Sequence, residues 1–304
     1  MLGFDGRLVD SLAGVVQGHA RLWYTLPPTA LLAPTRAQLG VLNELRTVTR
    51  AGPVASRLAS LTAHVAALTG WLSWLSGQRR GATAFYTFAQ ELAADGRDQG
   101  AEAFVLVLRS FMCSDLFRSE KGGAARALTL LDRAVDLAGP GSSPHLRVFA
   151  LARRAEEHAI SGASGAELAA GRDLDEAERA LASAAGPDPG FFGYLDGDRL
   201  AGCRGTCAVM LGRPREAVSV LAGVLAATPD ELAAERSILL TDLAAAYAQQ
   251  AEVGQACDIL VRSLALGSPG DANRIERILA VRRSALNRWS DDPAVRQLDE
   301  QLRA

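Results

Sequence analysis

Two cysteines offer the most obvious chemistry in this sequence. Cys203 and Cys207 stand four residues apart, so on a helix they share one face, a single turn from each other. With Cys113 or His158 they would supply donors for zinc. Structural zinc sites favour close cysteine pairs on short loops, however, and Gly205 lies between these two at what reads as a packing position. Buried, unreactive thiols are the expectation, and no metal or cofactor is assigned. Glu156-Glu157-His158 is the next candidate, directly after Arg153-Arg154-Ala155. It lacks the H-E-x-x-H pattern that presents two imidazoles from one helix face. It reads as a solvated or groove-facing charge cluster. The histidines His19, His64, His145 and His158 are scattered, and no G-x-S-x-G elbow, P-loop or G-x-G-x-x-G turn is present. No catalytic residue is therefore assigned, and the question of an enzyme leans towards no.

The aromatic residues group in two places. Trp71 and Trp74, three apart, stand close in sequence to Phe85, Tyr86 and Phe88. They form either core between two helix pairs or the stacking wall of a ligand pocket. Phe191-Phe192-Gly193-Tyr194 falls in a loop, where it folds back over the helices or caps a ligand or partner.

The elements that must position these residues are helices. Ala, Leu, Arg, Glu and Gln dominate, all strong helix formers, and apolar residues recur at helical spacing, as in Leu239, Leu243, Ala246 and Tyr247. Glycines and prolines interrupt the pattern at regular intervals. The expected helices span 5–24, 35–50, 54–76, 80–95, 98–118, 123–138, 144–160, 173–185, 195–212, 214–227, 230–250, 252–266, 271–289 and 293–303.

Composition narrows the function classes. Hydrophobic residues make up 49% and charged ones 22%, which suits a folded protein. All but one of the 32 basic residues are arginine, Lys121 being the exception, yet the net charge is −2. With no basic excess to neutralise phosphates, direct nucleic-acid binding is not expected. Few, dispersed cysteines, no signal-peptide pattern after Met1 and no apolar run of about 18 residues lead to the expectation of a soluble, cytoplasmic chain without a membrane span.

Internal repetition decides the architecture. Small-x-x-x-large pairs recur at Ala84/Phe88, Ala127/Leu131, Ala177/Leu181, Ala217/Leu221 and Ala256/Leu260. In tetratricopeptide units such a pair lets the second helix pack closely on the first. Gly205 supplies the close-contact position of the fourth unit, and Leu211-Gly212-Arg213-Pro214 its inter-helix turn. The expected fold is all-α, a right-handed α-solenoid of about five degenerate tetratricopeptide-like helix pairs, with intervals of about 40–50 residues against the ideal 34. Residues 1–52 form an N-terminal helical segment, 53–270 the solenoid, and 271–304 a capping helix pair that closes its apolar end.

Several stretches carry a further signal. They are Leu58-Ala59-Ser60-Leu61 with Leu68-Thr69-Gly70-Trp71-Leu72, and Gly193-Tyr194-Leu195-Asp196 with Arg199-Leu200-Ala201-Gly202 and Gly205. Leu240-Thr241-Asp242-Leu243-Ala244-Ala245-Ala246-Tyr247 and Pro293-Ala294-Val295-Arg296-Gln297-Leu298-Asp299-Glu300 complete the set. Together they resemble the C-terminal tetratricopeptide portion of actinobacterial Xre/Cro-type helix-turn-helix transcriptional regulators. The resemblance implies a sensor whose solenoid receives a small molecule, peptide or protein and signals to a DNA-binding head. That head is expected to be absent from this sequence.

In such an array the first helices of successive pairs line an inner groove. The register places Ser73, Phe149, Glu156, Arg199, Thr206, Met210, Thr241 and Gln249 there as candidate ligand-binding residues. Arg199 would anchor an anionic group. The alternatives are a stand-alone protein-binding scaffold and an enzyme of specialised metabolism on a recruited regulator fold. A homodimer through residues 5–50 is also compatible with the sequence.

Overall fold

A computed structural model describes residues 6–23, 25–49, 52–115, 118–119, 122–139, 142–184, 186, 196–267 and 270–303. These residues form fourteen α-helices, with one two-residue antiparallel strand pair, β1 (Ser114–Asp115) and β2 (Arg118–Ser119). The chain enters through α1 (Gly6–Leu22) and α2 (Pro28–Val48), which pack on α3 (Pro53–Leu75). Five pairs of consecutive helices then pack closely: α3 with α4 (Arg79–Gly96), α5 (Gln99–Cys113) with α6 (Gly123–Leu137), and α7 (Pro144–Ser161) with α8 (Ala166–Ala182). The last two are α9 (Gly197–Met210) with α10 (Pro214–Ala227) and α11 (Ala233–Gln249) with α12 (Val253–Ala265). α13 (Ala272–Ser284), a 3₁₀ turn (Asn287–Trp289) and α14 (Pro293–Gln301) follow.

Local chemistry sets the helix ends. Proline occupies the first turn of α2, α3, α7, α10 and α14, where its missing N–H costs nothing. Asp98, Asp196, Asp271 and Asp292 accept bonds from backbone N–H groups of the first turns that follow them. The turn inside three pairs is the same. The N–H groups of Gln78, Arg213 and Glu252 donate to the carbonyls of Ser73, Ala208 and Tyr247 at 2.8, 2.9 and 3.0 Å. The preceding residue is left-handed in each case: Gly77 (φ 76°), Gly212 (φ 70°) and Ala251 (φ 63°).

A second device recurs between pairs. Arg147, Arg236 and Arg274 lie in the first turns of α7, α11 and α13. Each donates through one guanidinium nitrogen to two carbonyls at the end of the helix before: Val135 and Ala138, Leu225 and Thr228, Ser263 and Leu264. Carbonyls at a helix end lack the donor one turn on, and the arginine supplies one; the Leu264 carbonyl also accepts from the N–H groups of Leu266 and Gly267.

The pairs close through small residues. A methyl group at Gly205 would lie 2.6 Å from the Leu221 side chain, so only glycine lets α10 approach this near. Ala217, Leu221, Ala256, Leu260, Ala127, Leu131 and Ala177 are all fully buried, and Leu181 is half-buried. In α4 the expected pair is displaced: Ala84 is exposed, and the inward residues are Ala82 and Tyr86, two positions earlier. Tyr86 lies against Gly70, where a methyl group would come within 2.8 Å of its ring. The large aromatic ring, rather than alanine spacing, sets that register.

Several boundaries differ from expectation. α2 starts at Pro28 rather than 35 and runs through Pro34. α8 starts at Ala166 rather than 173, with Gly171 inside it. α5 stops at Cys113, where the short strand pair begins. α3 is long and apolar enough to cross a membrane by length and composition, but 78% of its apolar window is buried within the molecule.

The first helices of the pairs are successive neighbours: α3 with α5, α5 with α7, α7 with α9, α9 with α11, and α11 with α13. α13 then packs back against α3, Gly77 close to Ala272 and Gly270 against Thr29. The two ends of the helical array therefore meet. One buried apolar cluster runs from Val9 to Cys207 and a second from Ala208 to Leu298.

Candidate functional site

The ring of first helices encloses a chamber. Two cavities, of about 220 and 120 Å³, share Trp23, Trp71, Phe111, Ile238 and Arg277 in their walls and so lie side by side. One side is aromatic. Trp71 stacks on Trp74 at 4.9 Å between centroids and meets Phe111 and Trp23 edge-on at 5.2 and 5.7 Å. Phe104 and Phe149 extend the wall, 6.3 Å apart. Trp23 comes from the turn that follows α1, and the other rings from the faces that α3, α5 and α7 turn towards the chamber. Ile238 is 45% exposed although the chamber wall includes it, so open space reaches this part of α11.

The other side is ionic. Arg199 on α9 binds Glu235 on α11 through two parallel bonds, 3.0 and 2.7 Å. Asp242, fully buried on α11, accepts from Thr206 Oγ1 on α9 at 2.6 Å and from Arg277 on α13 at 2.8 Å. Arg153 on α7 binds Glu156 at 3.0 Å, the buried Glu157, and the Ser114 carbonyl at 2.6 Å. Its guanidinium also lies 4.1 Å from the centre of the Phe111 ring.

The eight candidate residues fall in different places. Phe149, Glu156, Arg199 and Thr206 line the larger cavity, and Thr241 the smaller. Ser73 is fully buried, its hydroxyl donating to the Thr69 carbonyl, and lines neither. Met210 packs at the junction of the two apolar clusters. Gln249 donates to the Val209 carbonyl at 2.9 Å and borders a separate shallow depression with Gly212 and Arg288. Gln249 stands at the end of its helix, past Thr241 and Asp242, whereas Ser73 is turned into the core beside Trp74 and Leu75, which do line the smaller cavity.

Arg199, expected to anchor an anionic group, has a carboxylate partner within the chain: its paired donors engage Glu235. The Glu156-Glu157-His158 run also divides. Glu156 faces the chamber, Glu157 is completely buried behind Arg153, and His158 points the other way, towards Asp173 at 3.6 Å. Burial lowers the His158 pKa.

Cys203 lines the chamber beside Glu156. Burial, followed by the Glu156 carboxylate, pushes its thiol well above the usual range, and burial does the same to Cys207. Both are held as neutral thiols, which makes them poor nucleophiles. Among the described residues, no three His, Cys, Asp or Glu side chains converge as a metal site. The aromatic loop Phe191–Tyr194 lies outside the described residues, as does Leu195 of the quoted stretches.

Trp23, Phe111, Arg153, Glu235, Asp242 and Arg277 were not singled out from sequence. One signal for some of them was present. Arg199–Glu235 and Thr206–Asp242 are each 36 residues apart, and Asp242–Arg277 is 35. Polar residues repeating at nearly the tetratricopeptide period mark contacts between successive first helices. Compared with protein-family models and with curated proteins, the chain matches none of either.

Proposed function

We propose that this chain is a regulatory sensor and interaction domain that receives a small molecule in the chamber. The observation that carries the reading is an aromatic-lined space bounded by helices from every pair and by α13. A ligand there touches elements far apart in sequence, so its binding energy can bias their relative positions. The recurring turn, the arginine caps and the 35–36-residue contacts support a right-handed solenoid of degenerate tetratricopeptide-like pairs. The resemblance to Xre/Cro-type regulators supplies the output, control of a DNA-binding head in a cytoplasmic regulator.

The test is retention of a small molecule from a cell extract, read by native mass spectrometry. The wild-type chain should retain a compound that Ile238→Trp, which fills the chamber from an accessible position, does not. A wild-type chain that retains nothing, or a variant that retains as much, would sink the reading.

A second reading has its own observation. Val15, Leu22, Val41 and Val48 on α1 and α2 are 50, 42, 50 and 66% exposed. Such residues suit a scaffold that binds protein through its N-terminal helices. A stoichiometric complex that forms without any small molecule and is lost on Val41→Glu with Val48→Glu would favour it.

A further inference from the structure

Every charge on the ionic side of the chamber has a partner. Its lining contains four arginines and four carboxylates, and they pair one to one. Arg199–Glu235 and Arg277–Asp242 lie at 2.7 and 2.8 Å, Arg153–Glu156 at 3.0 Å, and Arg274–Asp271 at 3.8 Å. Glu157 also binds Arg153 but is fully buried and not part of the lining.

This pairing constrains what can enter. An anion would meet guanidinium groups whose charge is already matched by a carboxylate. To use the Arg199 fork it would have to displace Glu235 towards Trp, Phe and Ile side chains. A cation would have to displace an arginine in the same way. A charge left without a partner in a space of this kind is strongly disfavoured, whereas a neutral molecule disturbs none of the pairs. A neutral molecule can still accept from the guanidinium edges and donate to the carboxylates.

Size and surface narrow the class further. An apolar cavity of about 150 Å³ holds a benzene ring. The larger cavity here is about 220 Å³ and adjoins the smaller. Five aromatic side chains, Trp23, Trp71, Phe104, Phe111 and Phe149, offer faces and edges for stacking.

We infer that the chamber selects an electrically neutral molecule of about two fused rings, carrying hydroxyl or amide groups, over charged molecules of the same shape. This rests on the reading of the chamber as a small-molecule receptor.

Calorimetric titration of the full chain at neutral pH with three probes of one ring system tests it: 2-naphthol, 2-naphthoate and 2-naphthylmethylammonium. The expected result is binding of naphthol, with each charged probe at least about tenfold weaker. Glu235→Gln, which leaves Arg199 without its carboxylate, should narrow or reverse the gap between naphthoate and naphthol. Charged probes that bind wild-type protein as tightly as naphthol would overturn the charge selection and leave the receptor reading standing. If none of the three binds, the inference and the receptor reading fall together.

Discussion

The Asp242 carboxylate on α11 accepts a hydrogen bond from the Arg277 guanidinium on α13 at 2.8 Å, and it does so with no exposure to solvent. Its second oxygen takes the Thr206 hydroxyl of α9. One side chain thus joins two successive first helices, α9 and α11, to α13, the helix that returns to α3. Removing it takes from Arg277 and Thr206 the buried carboxylate that they share. Asp242→Ala should cost about 3–5 kcal/mol, and Thr206→Val about 1 kcal/mol. Denaturant unfolding measures both. An Asp242→Ala chain no less stable than Thr206→Val would show that the junction contributes little.

Gly205 faces Leu221 where a methyl group would sit at 2.6 Å. Gly205→Ala should destabilise by about 1–3 kcal/mol, because Leu221 is fully buried and can yield only by moving α10. Leu221→Ala in the same chain opens space for the new methyl. The double variant should therefore cost less than the sum of the two single changes. Strict additivity would mean the two side chains do not compete for that volume.

Ala251 occupies the left-handed position that glycine holds at Gly77 and Gly212. Its Cβ strains the backbone there, so Ala251→Gly should raise stability by about 0.5–1 kcal/mol. A rise in melting temperature without change in activity or oligomeric state is the expected reading. A fall would mean that the alanine methyl contributes more in packing than it costs in conformation.

Burial raises the Cys257 thiol to about 11, from an ordinary value near 9.0, and raises Cys113, Cys203 and Cys207 as well. The folded state therefore keeps protons that the unfolded chain releases. The sign follows directly: stability from these groups is complete below pH 9 and declines as pH rises towards 11. Unfolding free energies across that range should fall for wild type and fall less for Cys257→Ala. At pH 8 the native chain should react slowly with a thiol reagent that titrates all four cysteines at once in denaturant.

Much of the helical frame was legible in the sequence because its determinants are local. Proline in first turns, aspartate caps, and glycine at Gly77 and Gly212 act over four or five residues, and they stand where the helices begin and end. Gly205, Ala217 and Leu221 could be read as a packing set because helix geometry fixes which side chains share a face. Where an aromatic residue overrode the small-residue spacing, at Tyr86, the register slipped by two. Where proline lay early in a helix, at Pro34, the expected start came too late, since an interior proline removes one bond without forbidding the turns around it.

The sequence by itself determined an all-helical chain of paired helices and placed Phe149, Glu156, Arg199 and Thr206 on helices facing the same way. Only the tertiary structure decided what those faces meet. The return of α13 to α3, the pairing of Arg199 with Glu235, and the junction of Asp242, Thr206 and Arg277 depend on rotations accumulated over several helix pairs. Small changes in each crossing angle add up along the array, and no local pattern of residues records their total.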